Sequence, residues 1–237
     1  MAKIFRTVNC ENCESLKKSV FCSLKNSPLS DASSNKVMNF YKKGQTLYFQ
    51  GNPAFGIYCI NSGKIKVSKM ENDGKEIILR IAGAGDVLGH QNLYTNENYT
   101  ATATVIEDAA ICFLDKKFVL NIISTEPSIS INIISKMSDE LSTYERRNAA
   151  MSHKNVRERL AELLLALKIN YGIFEHGRFK LDIKLTREEM ASMVGTANET
   201  IIRFISEFKD EGILEQEGKI IYIMNIEKLI KTANIAP

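Results

Sequence analysis

Eight of the thirteen glycines crowd into the stretch from Gly44 to Gly89, and no other feature constrains the fold as much. They are Gly44, Gly51, Gly56, Gly63, Gly74, Gly83, Gly85 and Gly89. Glycine takes positive φ at little steric cost, so this spacing marks tight turns between short segments. Those segments are apolar or alternating. Gly56-Ile57-Tyr58-Cys59-Ile60 reads as one strand and Lys64-Ile65-Lys66-Val67 as the next. Asn72-Asp73-Gly74 reads as a hairpin turn, answered by Glu76-Ile77-Ile78-Leu79-Arg80. Residues 99–105 and 109–114 continue the pattern. Many short strands with glycine turns make a β-barrel, sandwich or roll.

After Pro127 the period changes. Ile134, Met137, Leu141, Tyr144, Asn148 and Met151 are spaced 3-4-3-4-3 on a long helix without Gly or Pro. Such a stripe either lies on its own barrel or forms a dimer seam. The flanking Ser138, Asp139, Glu140, Glu145, Arg146 and Arg147 leave little second apolar face, which favours the seam. A second helix follows, with Val156, Leu160, Leu163, Leu164 and Leu167 at core spacing. Gly172 and Gly177 bracket a loop, and residues 180–185 alternate as a strand.

Thr186-Arg187-Glu188-Glu189 has the capping-box pattern and opens a short helix that Gly195 breaks. Thr196-Ala197-Asn198-Glu199 repeats the pattern and opens a second helix, with Ile201, Phe204, Ile205 and Phe208 inward. Two short helices across a Gly-containing turn form a helix-turn-helix, whose second helix enters the major groove N-terminus first. Glu217-Gly218-Lys219 then joins two β-prone arms as a wing. Thr186, Thr196, Asn198, Glu199, Thr200, Ile202 and Arg203 are the candidate DNA contacts. Arg bonds guanine bidentately and Glu accepts from the cytosine amino group. Against this, Glu199 could serve only as a capping acid, and Arg203 could merely pair with Glu199 on the surface. From His153 onward there are thirteen Lys plus Arg and thirteen Asp plus Glu, so a DNA face here depends on local placement.

Composition limits the alternatives. A length of 237 residues suits two modest domains, and 44% hydrophobic with 25% charged residues is ordinary globular usage. No run approaches the roughly eighteen apolar residues of a membrane span. Met1-Ala2-Lys3-Ile4-Phe5-Arg6 lacks a signal-peptide core, so a cytoplasmic protein is expected. No Ser-His-Asp set, phosphate loop or paired catalytic acid stands out, so an enzyme is not expected. The five cysteines are an odd number, which argues against a disulfide scaffold. Cys10, Cys13 and Cys22 crowd together, whereas Cys59 and Cys112 lie in apolar strand-like runs. Clustered thiols point to metal, an iron–sulfur cluster or redox chemistry. Glu11, Asn12 and Glu14 give the N-terminal group no apolar face, so a bound centre is expected to hold it.

Barrel, seam helix and winged helix-turn-helix, in that order, resemble the Crp/Fnr family of bacterial transcription regulators. The resemblance covers roughly residues 35 to 230. It is carried by residues 44–51, by Gly63-Lys64-Ile65-Lys66-Val67, by Gly85-Asp86-Val87-Leu88-Gly89 and by residues 155–161. Leu185-Thr186-Arg187-Glu188-Glu189-Met190, Val194-Gly195 and Glu199-Thr200-Ile201-Ile202-Arg203 complete it. It implies an α+β chain: a cysteine-containing segment at 1–34, a cyclic-nucleotide-binding-like β-roll at 35–126, a dimerisation helix at 127–152 and a winged helix-turn-helix at 153–237. It also implies a homodimer that binds a palindromic site with TGA-type half-sites and contacts RNA polymerase.

Two departures bear on the effector. Cyclic-AMP-binding members follow the Gly-Asp-x-x-Gly turn with Glu and later carry Arg-Ser; here stand Gly89-His90-Gln91 and Tyr99-Thr100. A buried cyclic phosphate without a cationic partner is costly, so cyclic AMP is not expected. His90 is read as a surface or hydrogen-bonding residue rather than a haem ligand. The family's oxygen sensor holds a [4Fe–4S] cluster on an N-terminal cysteine group and one late-strand cysteine. By that resemblance Cys10, Cys13, Cys22 and Cys112 are the ligands, Cys59 is core, and the chain stands closest to the Fnr-like oxygen-sensing branch. The gap between Cys13 and Cys22 is longer than in that sensor, and Tyr144 replaces an acid in its seam. Zinc, a thiol–disulfide switch and inert cysteines remain alternatives for the thiols. A cyclic-nucleotide-type small-molecule binding module acting on a partner protein, with a degenerate winged helix, remains the alternative for the whole chain.

Overall fold

Gly63 does not turn the chain. In the computed structural model, which describes residues 8–95 and 97–235, the two strands expected around it form one strand, Gly56–Met70. Gly63 sits at φ +92°, and a Cβ there would lie 2.6 Å from Ala109 of the facing strand. The ladder shifts register on both sides of it. The glycine therefore makes a bulge that lets two backbones pass closely. The second expected pair fuses in the same way into Thr102–Asp115.

The chain divides into two compact units, Met1–Ser142 and Thr143–Pro237. In the first unit, α1 (Asn26–Asn35) precedes β1 (Val37–Tyr41), β2 (Thr46–Tyr48), β3 (Gly56–Met70), β4 (Glu76–Ala82), β5 (Val87–Leu88) and β6 (Thr102–Asp115). All pairings are antiparallel, in the order β1-β6-β3-β4, with β2 on β6 and β5 on β3. Helix α2 (Lys116–Thr125) is capped by Asp115, whose side chain accepts from Phe118 N, and α3 (Pro127–His153) follows. Tyr48, Ile60, Ile65, Val67, Tyr99 and Ile111 pack inside the roll.

A second core corrects one expectation. Val20, Phe21 and Leu24 of the N-terminal segment are buried with Leu29, Ala32, Val119, Ile122, Ile129 and Ile133. The acidic face read around Cys10–Glu14 stops short of these residues. Apolar burial therefore anchors the segment on α2 and on the start of α3.

In the second unit, α4 (Val156–Tyr171) begins with a complete capping box from Asn155 and Glu158. The stretch between Gly172 and Gly177 is a hairpin rather than a loop. It pairs β7 (Gly172–Glu175) with β8 (Arg178–Leu181), and His176 and Gly177 both take positive φ at its tip. Residues 182–185, expected to continue a strand, are irregular. After them come α5 (Arg187–Val194), α6 (Asn198–Asp210), β9 (Leu214–Glu217), β10 (Ile220–Ile223) and α7 (Ile226–Thr232). The sheet order is β7-β8-β10-β9, so the wing hairpin extends the earlier one.

Candidate DNA-binding face and thiol site

Helix α5 carries the first expected capping box. Thr186 Oγ1 accepts from Glu189 N at 3.1 Å, and Glu189 Oε2 accepts from Thr186 N at 2.8 Å. Thr186 is thus committed to the cap. Gly195 ends α5 in the left-handed region at φ +73°. Its N–H and that of Thr196 both donate to Ala191 O, at 2.8 and 3.0 Å. This closure moves the next helix start one residue along and corrects the second capping box. Ala197 is the N-cap of α6 and supplies no side-chain cap. Glu199 then stands at the second helical position, too early to reach back. Among the described residues, the N-cap therefore offers no side-chain acceptor to the first N–H groups of α6, the arrangement that suits a phosphate oxygen.

Packing fixes which face of α6 turns outward. Ile201, Ile205 and Phe208 are buried. Glu199, Ile202 and Arg203 are exposed, whereas Thr196, Asn198 and Thr200 are half-buried. Asn198 Oδ1 is buried and has no hydrogen-bond partner among the described residues. Arg203 does not pair back with Glu199. Its Nε lies 3.8 Å from Glu207 Oε1, and its guanidinium rests over Phe204 at 4.9 Å. An exposed pair of that length is weak, so Arg203 is available to a ligand.

The turn is held from several sides within this unit. Arg159 donates to Val194 O at 3.0 Å, and Arg147 donates to Met193 O at 3.0 Å. The Met151 side chain lies over Gly195, where a Cβ would come within 2.6 Å of its Cε. Arg187 donates to Gln216 Oε1 at 2.5 Å and joins α5 to the wing strand β9. Arg178 spans Glu215 and Glu217 and lies over Tyr222 at 3.7 Å.

The seam residues of α3 are mostly uncovered. Ile134, Met137, Leu141 and Met151 are exposed large hydrophobics, Asn148 is exposed and Tyr144 is half-buried. The helix's first turns also carry the buried Ile129 and Ile133, on a face adjoining the stripe.

Four thiols meet at one cavity of about 50 Å³ in the first unit. Cys10, Cys13, Cys59 and Cys112 line it, with Lys36 and Asn61. Lys36 Nζ lies 3.4 Å from Cys10 Sγ and also donates to Val8 O. Asn61 Nδ2 donates to Cys13 Sγ at 3.1 Å. Burial pushes the Cys59 thiol well up, with the neighbouring thiols adding to it, and pushes Cys112 up to about 11. Both are therefore neutral thiols at neutral pH unless a metal takes the proton's place. Of the four expected ligands, three reach the cavity. Cys22 is exposed, and its Sγ lies 3.8 Å from Asn132 Nδ2 on α3. Cys59, read as core, is half-buried and lines the cavity. The missed signal was register, since strand boundaries at Gly63 hid that Cys59 faces Cys112.

A further polar cluster joins the turn after β5 to α3. Glu140 is reached by Arg80 at 3.1 Å, His90 at 3.2 Å and Gln91 at 3.0 Å. His90 is only 2% exposed, so it is a buried hydrogen-bonding residue and not a surface one. Burial raises the Glu140 carboxyl, but the His90 bond and the Arg80 guanidinium outweigh it and hold it down to about 2. In the roll, Tyr99 stacks on Tyr48 at 4.0 Å and donates to Gly56 O at 3.0 Å.

Comparison with known proteins agrees with this layout. The model of the cyclic nucleotide-binding domain matches residues 38–126, and that of the Crp-like helix-turn-helix domain matches residues 158–232. The chain is 29% identical over 193 residues to a CRP-like cAMP-activated global transcriptional regulator of Mycobacterium tuberculosis, covering 81% of this chain and 86% of that protein. It is 27% identical over 195 residues to the fumarate and nitrate reduction regulatory protein of Vibrio cholerae, covering 82% and 78%. Among solved structures, FixK2 from Bradyrhizobium japonicum superposes with a TM-score of 0.75 at 22% identity, over 85% of this chain and 99% of that one. A CooA mutant from Carboxydothermus hydrogenoformans gives 0.73 at 26% identity, over 91% and 94%. With both domains matched in this order, the chain belongs to the Crp/Fnr family of DNA-binding transcription regulators.

Proposed function

We propose that this regulator is a homodimer of the Fnr-like branch that binds a palindromic operator, contacts RNA polymerase and senses oxygen or redox state through a cysteine-ligated [4Fe–4S] cluster. The observation that carries the reading is the meeting of four thiols at one cavity beside an amine and an amide donor. Four thiolates match the usual ligation of such a cluster, and Lys36 offsets part of their negative charge. When bound, a cluster of this kind supplies an oxygen-labile redox centre.

The protein's own residues provide a route from that cavity to the seam. Cys10 and Cys13 begin the segment whose Val20 and Phe21 lie in the core with Ile129 and Ile133 of α3. Asn132 Nδ2 on α3 donates to Val20 O at 2.9 Å and Ser23 Oγ at 3.1 Å, and Ser23 Oγ donates to Ser128 Oγ at 3.0 Å. Holding Cys10 and Cys13 on the roll fixes this segment against the first turns of α3. Release of the thiols loosens it, and the seam stripe through Met137 and Leu141 is the two-state element biased. At the DNA, Glu199 and Arg203 read base edges, while the open N–H groups of α6 face a phosphate.

Cyclic AMP is not the effector in this reading, although the Mycobacterium tuberculosis relative is named as cAMP-activated. By the resemblance, Tyr99 and Thr100 stand where cyclic-AMP-binding members carry Arg-Ser, and Tyr99 stacks on Tyr48 inside the roll with Tyr58 beside them.

Anaerobic purification with iron and acid-labile sulfide assays tests the proposal. The expected protein is brown, carries about four irons per chain and bleaches in air. Stoichiometric zinc without iron would overturn the redox reading and leave the DNA-binding one standing.

A further inference from the structure

We propose that Cys59, and not Cys22, completes the ligand set, so that Cys10, Cys13, Cys59 and Cys112 hold the cluster. The assignment rests on the iron–sulfur reading of the thiols but concerns which side chains carry it.

The sheet brings two of the four together. Cys59 of β3 stands directly opposite Cys112 of β6 in an antiparallel ladder. Opposed residues share a face of the sheet, with Cβ atoms about 4.5–5.5 Å apart. A single 3₁₀ turn brings the other two. Cys13 N donates to Cys10 O at 3.1 Å, and residues three apart in such a turn eclipse one another. Both pairs face the same cavity.

Cys22 is kept away by its neighbours. Val20 and Phe21 are 6% and 4% exposed in the second core, so the residue after them points outward. Ser23 and Val20 are tied to Asn132 on α3. Phe21 lines the cavity from the second core, so turning Cys22 toward it would turn Phe21 away, whereas Cys59 needs no backbone displacement.

Among the described residues, no three Cys, His, Asp or Glu side chains are placed to hold one metal ion. One tetrahedral zinc ion at about 2.3 Å from each sulfur would need the sulfurs under about 4 Å apart.

The test uses the full chain, reconstituted anaerobically with ferrous iron and sulfide. Cys59→Ala is expected to lose iron and sulfide as completely as Cys112→Ala, while Cys22→Ser keeps the wild-type content. The reverse pattern would overturn the assignment and leave the iron–sulfur reading intact. Differential alkylation of the wild-type protein needs no variant to fold. Cys22 should react in the loaded protein, and Cys10 and Cys13 only after chelation; loading that shields Cys22 would overturn the assignment. A wild-type protein that takes up no iron would overturn the assignment together with the reading it rests on.

Discussion

His90 Nε2 lies 3.2 Å from Glu140 Oε2, so the turn that follows β5 is fastened to the helix carrying the seam stripe. Arg80 and Gln91 converge on the same carboxylate, and Lys136 reaches Asp86 one turn of α3 earlier. The carboxyl is held down to about 2 when folded. Its contribution is therefore present in full above the ordinary carboxyl range near about 4.3. It is lost as pH falls from there toward about 2. Glu140→Gln should cost about 1–3 kcal/mol at neutral pH and flatten the acid limb of stability. Urea midpoints measured from neutral to acid pH check this, and identical slopes for variant and wild type would contradict it.

Gly195 is the second test. At φ +73° a side chain meets backbone strain, while Met151 Cε, the far end of a flexible side chain, must move aside. Gly195→Ala should destabilise by about 1–2 kcal/mol from the left-handed conformation alone, and Gly195→Val by more. Thermal melts should show both losses, and a neutral Gly195→Val would mean that the turn is not tightly held.

Arg203 is expected to read sequence rather than phosphate. Arg203→Ala should cost about 1–3 kcal/mol on the specific operator and relax preference at one position. Fluorescence anisotropy on operator and scrambled duplexes separates the two roles. Equal weakening on both would make Arg203 a backbone contact.

The stripe on α3 is expected to be the subunit seam. Leu141 is 59% exposed in the single chain. Leu141→Glu would bury a charge on each side of a two-fold, breaking the dimer and abolishing operator binding. Sedimentation velocity that finds an unchanged dimer would move the seam elsewhere.

Local chemistry carried most of the architecture in the sequence. The Thr186 capping box, the Gly195 stop, the hairpin at Asp73-Gly74 and the long helix after Pro127 are each written within a few residues. What stayed hidden depends on partners far along the chain. Gly63 signals positive φ, but only the approach of Ala109 makes it a bulge and not a turn. Thr196 and Glu199 have capping-box spacing, yet the double closure onto Ala191 O takes Thr196 out of the cap. The β7–β8 hairpin was obscured because Ile173 and Phe174 are flanked by glycines that read equally well as loop ends. The facing of Cys59 and Cys112 was hidden for the same reason as the bulge at Gly63: the two lie 53 residues apart, and no local pattern encodes that register.

Binding of the anaerobically loaded protein to an inverted-repeat duplex, before and after exposure to air, tests the central claim most directly. The account expects tight, salt-dependent binding that prefers the operator over random duplex and is lost as the iron is lost. Equal affinity for operator and random duplex, unchanged by air, would contradict it.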